Sequence, residues 1–283
     1  MNKSSVAFQA YKPQSITLAL RGFIDADMAS DFRQMLSIAC QHYKYSEVHL
    51  EVSSPGGQMV YMSQMLREMT KYKSDGVHFC THAQTEASSA AAIVLAFGSR
   101  GYRTASPEAT LVFHHSRLAA PQGAAITAKV AGSVQDSMQQ SDKWLINTLV
   151  QEQIKESGSQ EALLQTVCQR ATGVLQNFEA LTETLYMAPP PRIILRQQQN
   201  TLHCLQDLGK KPVTEGMDAY RKLLIKEFGH DRPLNLALAF AMALIDDLDH
   251  IDLLCSKSTG RDLDSQGCNE PEANTASLRP IHA

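Results

Sequence analysis

Between residues 15 and 115 the apolar residues switch repeatedly from every second position to every third or fourth, and this alternation directs the chain to an α/β fold. Ile16 to Leu20 is a short β-prone run. Asp25 or Asp27 is placed to cap a helix whose apolar face holds Met28, Phe32, Met35, Leu36 and Ala39. Val48, Leu50 and Val52 alternate with His49 and Glu51, a strand that runs into Ser53-Ser54-Pro55-Gly56-Gly57. Met62, Met65, Leu66 and Met69 then take helical spacing. Another strand around Val77 to Thr81 leads into the Ala-rich stretch Ala87 to Phe97, which Gly98 closes, and a further short strand is expected over Leu111 to His115.

Downstream the signals are helical. Ala124 to Glu156 is a long stretch carrying Val130, Val134, Trp144, Leu145, Leu149 and Val150. Such a helix either protrudes toward a neighbouring subunit or lies on its own domain. A break at Ser157-Gly158-Ser159 precedes a helix through Cys168, and Ala188-Pro189-Pro190-Pro191 stops the chain. Residues 200 to 255 predict two helices around a Gly229 to Pro233 turn. From Ser256 onward the polar composition predicts a disordered tail. The expected organisation is an N-terminal segment 1–14, a domain over 15–195 with a long helical insert at about 124–178, a helical extension 196–255 and a tail 256–283.

A chain of 283 residues at 43% hydrophobic content can bury one sizeable core. Its net charge of −3, without a Lys/Arg-rich run, argues against a nucleic-acid partner. Six scattered cysteines with no CxxC pair read as reduced thiols of a cytoplasmic protein. The first residues lack the apolar region of a signal peptide. The run Leu234 to Ile245, broken by Asn235 and followed by Asp246 and Asp247, is too short to span a bilayer and predicts a packed helix, so no membrane partner is expected. No Walker-type phosphate loop is present, and any use of ATP would belong to a partner. His78, Cys80 and His82 alternate on one strand face as a conceivable metal trio, but no carboxylate or fourth ligand is suggested nearby. The expectation is no metal and no cofactor.

Two segments carry chemistry. A Gly-Gly turn at the end of an apolar strand lets backbone N–H groups approach a substrate closely, although most such turns are only turns. Ala87-Ser88-Ser89-Ala90-Ala91-Ala92 puts a serine in the first turn of a helix among small neighbours, where its hydroxyl is accessible. The plain alternative is a serine that caps the helix. The G-x-S-x-G elbow of the α/β-hydrolases is absent.

These segments resemble the proteolytic subunit of the Clp protease, within the ClpP/crotonase-like superfamily. Leu-Arg-Gly-Phe-Ile at 20–24 is similar to the family's first strand, and Val52 to Gly57 to its N-S-P-G-G turn. Ala87 to Arg103 is similar to the block A-A-S-M-G-x(5)-A-G-x-x-G-x-R. Pro107 to His114 is similar to P-N-S-x-x-M-I-H, and Gln122-Gly123 with Ala125 to Q-G-x-A. The likeness covers residues 15 to 130 well and 160 to 190 loosely. It implies a ClpP/crotonase-like α/β fold of repeated β-β-α units with a protruding long helix, here followed by a C-terminal helical extension.

The resemblance also implies roles. Counted back from Gly98 and Arg103, the nucleophile falls on Ser89 rather than Ser88, with His114, 25 residues later, as its base. Gly57 N–H and Ala90 N–H form the oxyanion hole. His115, on the opposite strand face, is then structural. The acid falls on Glu183, in Glu183-Thr184-Leu185-Tyr186-Met187-Ala188, where the family has an Asp, and an insertion must lie between it and His114. The implied activity is that of a serine endopeptidase cutting peptides or unfolded proteins inside a homo-oligomeric ring, fed by a separate AAA+ unfoldase. Three alternatives stand beside it. Lys129 is the base of a Ser-Lys dyad, Glu86 serves acyl-CoA chemistry on a crotonase-like site, or the chain is a catalytically degenerate structural subunit.

Overall fold

Strand and helix alternate as the apolar periods require: β1 (Ser15–Ile24), α1 (Ala26–Leu36), β2 (Glu47–Gly57), α2 (Met59–Ser74), β3 (His78–Ser88) and α3 (Ala90–Ala96). The computed structural model describes residues 15–115, 128–185, 191–230 and 232–248. The first three strands pair in parallel, with Leu18 opposite Leu50 and Leu50 opposite Thr81. Val48, Leu50 and Val52 are buried, whereas Glu47, His49 and Glu51 between them are half-buried, so one sheet face carries the core. Asp25 is the cap of α1, its carboxylate accepting the Met28 N–H at 3.0 Å. α2 buries Met62, Met65, Leu66, Met69 and Tyr72 along one stripe. Each side chain of this size contributes roughly 1.5–3 kcal/mol on burial.

Beyond α3, two short strands take the same side of β3 in succession. β4 (Arg103–Ala105) lies beside Thr81–Ala83, and β5 (Thr110–Val112) beside Glu86–Ser88. β5 stops before His114 because β3 ends at Ser88 and turns into α3, which leaves no ladder partner for a longer strand. The strand expected to reach His115 is therefore shorter.

The helical half comprises α4 (Ala128–Ser157), α5 (Gln160–Gln176), α6 (Phe178–Leu185), α7 (Arg192–Gln206), α8 (Val213–Phe228) and α9 (Leu236–Ala241), closed by β6 (Asp247–Leu248). α4 has 30 residues, about 45 Å of helix. Its C-terminal half buries Leu145, Ile146, Leu149 and Val150 against the domain, while Val130 and Trp144 are 50% and 45% exposed. Ser159 ends the break before α5 by accepting the Ala162 N–H at 3.1 Å. Asn235, the residue that interrupts the apolar run, caps α9 by accepting from Ala237 and Leu238.

β6 pairs in parallel with β4 and gives the sheet the order β1-β2-β3-β4-β6, with β5 beside β3. A buried ion network secures this join. Both Arg103 and Arg170 donate to Asp246, whose side chain is 4% exposed, and Asp246 also accepts the Gly101 N–H at 2.7 Å. Burial pushes the Asp246 carboxyl up, but hydrogen bonds and charge from Arg103, then Arg170, outweigh it and hold the group well below the usual carboxylate range. Lys73 donates to both Glu152 and Glu156 of α4 at 2.7 Å.

Among the described residues no helix is long and apolar enough to cross a membrane. The segment 1–14, the tail 256–283 and the motif Gln122-Gly123 with Ala125 lie outside the described residues, as does the Lys129 side chain.

Candidate active site

The Gly-Gly turn is built by Ser54. This buried hydroxyl donates to the Gly22 carbonyl at 2.6 Å and accepts the Gly56 N–H at 3.1 Å. Gly56 has φ +93°, and a Cβ there would meet Ser89 Cβ at 2.6 Å and Ala90 N at 3.0 Å. A Cβ on Gly57 would collide with the Ile24 backbone. Glycine is thus required on both counts: the backbone of the turn lies directly against the serine turn at the end of β3.

Of the two adjacent serines, Ser88 is buried, and its hydroxyl donates to Glu86 at 2.7 Å. Ser89 differs in each respect. It is half-buried, it stands at the strand-to-helix turn with φ 55° and ψ −124°, and its side chain does not cap α3. The helix-cap alternative therefore fails. A non-glycine residue held in this region stores on the order of 1–3 kcal/mol of strain, a cost seen most often at functional sites. The Ser89 N–H donates to the Val112 carbonyl of β5 at 2.7 Å, which pins the turn to the strand that leads to His114. Ala90 N–H follows at the first position of α3, where no intrahelical acceptor exists.

His114 lies two residues past Val112, roughly 7 Å of extended chain, and Val112 is the register partner of Ser88. Its Nδ1 is 2.6 Å from the His115 carbonyl oxygen. A carbonyl only accepts, so Nδ1 is the donor, and of the two neutral tautomers this bond selects the one with its lone pair on Nε2, the form a general base needs. His115 is held differently: Nε2 donates to the Ile225 carbonyl at 2.9 Å, and Nδ1 stands 3.7 Å from Asp142. Between this segment and α8, Phe113 stacks on Phe228 with ring centroids 4.8 Å apart. Among the described residues no hydrogen bond joins Ser89 to His114; catalytic bonds are often long before substrate binds.

The remaining candidates fall as follows. The backbone of Glu183 belongs to α6, and its side chain lies outside the described residues. Glu86 is engaged by Ser88. The histidine–cysteine trio of β3 is not assembled: His82 bonds Thr104 at 2.8 Å and Ser106 at 3.3 Å, and the His78 ring lies 6.0 Å from that of Tyr102. Burial, then the charge of Glu47, pushes the Cys80 thiol up to about 11.

A cleft of about 350 Å³ opens beside His115, walled by Ala131, Val134 and Met138 of α4 and by Asp142. Sequence reasoning did not foresee two parts of the site. One is the Ser54 hydroxyl that shapes the glycine turn. The other is the His115 carbonyl that sets the His114 tautomer. Only the Ser-Ser-Pro-Gly-Gly spelling hinted at the first.

No curated protein is matched by this chain. A sequence model of the Clp protease family matches residues 3–164, more than half of the chain, and the protein therefore belongs to the Clp protease family.

Proposed function

We propose that the protein is a serine endopeptidase in which Ser89 is the nucleophile and His114 the base. Membership of the Clp protease family makes it a ClpP-like peptidase. The observation that carries the finer reading is the contrast between the two serines: Ser88 is tied to Glu86, while Ser89 is strained, uncapped and pressed against Gly56.

In the proposed reaction Ser89 Oγ attacks the scissile carbonyl and passes its proton to His114 Nε2. The oxyanion accepts hydrogen bonds from Gly57 N–H and Ala90 N–H. His114 then returns the proton to the leaving amine, and water releases the acyl group by the same steps in reverse. The His115 carbonyl supplies the tautomer. Glu183, the acid implied by the family likeness, is assigned the lesser task of steadying the imidazolium charge.

The same proposal includes a homo-oligomeric ring, supported by the exposed N-terminal half of α4, and a separate ATP-driven unfoldase as its feeder. Hydrolysis of short fluorogenic peptides tests the chemistry without that feeder. Activity present in the wild type and in Ser88→Ala, and abolished in Ser89→Ala, is the expected result. A wild-type protein that assembles into rings yet cleaves nothing would instead make it a structural subunit.

A further inference from the structure

We propose that Glu47, His49 and Cys80 form a binding site for a thiophilic divalent cation, Zn²⁺ above all, at the end of the sheet remote from Ser89. Glu47 and His49 stand two residues apart on β2, so their side chains share one face. Cys80 of β3 is the register partner of His49 and shares that face. It is the face turned away from the core, and all three residues are half-buried. Their donor atoms, a carboxylate oxygen, an imidazole nitrogen and the thiol sulfur, all lie within 4.8 Å of one another. His49 Nε2 and Glu47 Oε1 are already in contact at 2.6 Å, with side chains 42% and 25% exposed.

Donors around a tetrahedral zinc ion are about 3.4 Å apart, given bonds of roughly 2.0–2.3 Å. Closing from the present spacing needs only rotamer changes on two rigid neighbouring strands. The donor set decides the ion. Thiolate with imidazole selects Zn²⁺ over Mg²⁺ or Ca²⁺, which take oxygen donors. On binding, the Cys80 thiol proton passes to solvent, the His49 ring proton moves to Nδ1 so that the Nε2 lone pair faces the ion, and a water completes the fourth position from the open side.

From His49 to Gly57 the strand runs roughly 26 Å, so the ion does not enter the peptidase reaction. It clasps β2 to β3, the two strands that end in the Gly56–Gly57 turn and in Ser89. His78, opposite Glu47 in the ladder, is turned toward Tyr102 and serves as a control.

Titration with Co²⁺, followed by optical spectroscopy and by competition with Zn²⁺, tests the site in the full chain. The expected result is a saturable thiolate-to-cobalt charge-transfer band with tetrahedral ligand-field bands, bleached by Zn²⁺. Affinity should fall by at least about 100-fold in Cys80→Ser and in His49→Ala, and stay unchanged in His78→Ala and Cys204→Ser. A wild-type protein without the thiolate band would overturn the proposal, as would a band that survives Cys80→Ser.

Discussion

Residues 15–115 and residues 128–248 close the same core with different materials. In the first region the buried faces are almost wholly apolar: Val48, Leu50 and Val52 on β2, Phe79 and Ala83 on β3, and every residue of α3. In the second, the interior is apolar as well, with Leu149, Leu238 and Ile245, but the join to the first region adds buried charges: Asp246 is held between Arg103 and Arg170, and α4 is fastened by Lys73 through Glu152 and Glu156. An apolar interface tolerates small shifts, because its attraction is non-directional. A buried ion pair does not; removal of one partner leaves the others as unpaired charges. The first region thus holds the chemistry, and the second fixes the frame around it.

The largest effect separates the two regions at once. His114→Ala should lower kcat/KM for a short peptide by about 10⁴-fold or more, with the melting temperature unchanged. A loss of under about 10-fold would remove His114 from the proposed reaction. Asp246→Ala should do the reverse. It leaves Arg103 and Arg170 buried without their anion, at a cost of about 3–5 kcal/mol by chemical denaturation. Labelling of Ser89 at low temperature should persist.

Acid sharpens the same contrast. Because the folded-state pKa of Asp246 is depressed, its contribution is complete above the unfolded value of about 3.9 and is lost as pH falls below that, toward the folded value. Stability measured against pH should show this acid limb in the wild type and lose most of it in Asp246→Asn.

Gly56→Ala probes the closeness of the two turns. Its Cβ would press on Ser89 at a φ that alanine rarely adopts, and peptidase activity should fall by about 100-fold, the size of one lost oxyanion donor. The smallest effect concerns Glu183. Since the His115 carbonyl already fixes the tautomer, Glu183→Gln should cost about 10-fold or less in kcat. A loss near 10⁴-fold would move the orienting role to the carboxylate.

Much of the first region was legible in the sequence because its signals are local. The methionine stripe of α2, the Asp25 cap and the Gly-Gly turn each follow from spacing within a dozen residues. The serine choice needed the family likeness, and the strained φ of Ser89 is the physical reason that Ser88 and Ser89 part company. What stayed hidden is long-range. β4 and β6 have three and two residues, too few for any periodicity, and exist because β3 and Asp246 fix their places. The partners of Cys80 could not be read along β3, since Glu47 and His49 lie on another strand. The π-helical turn at Ser37–His42 likewise left no mark in the apolar pattern.

The proposed chemistry requires that the hydroxyl of Ser89 be the one that reacts. Treatment of the intact protein with a fluorophosphonate, followed by mass-spectrometric mapping of the modified peptide, reads this directly. The predicted adduct is on Ser89, and it disappears in His114→Ala. An adduct on Ser88, or none on a protein that hydrolyses peptides, would contradict it.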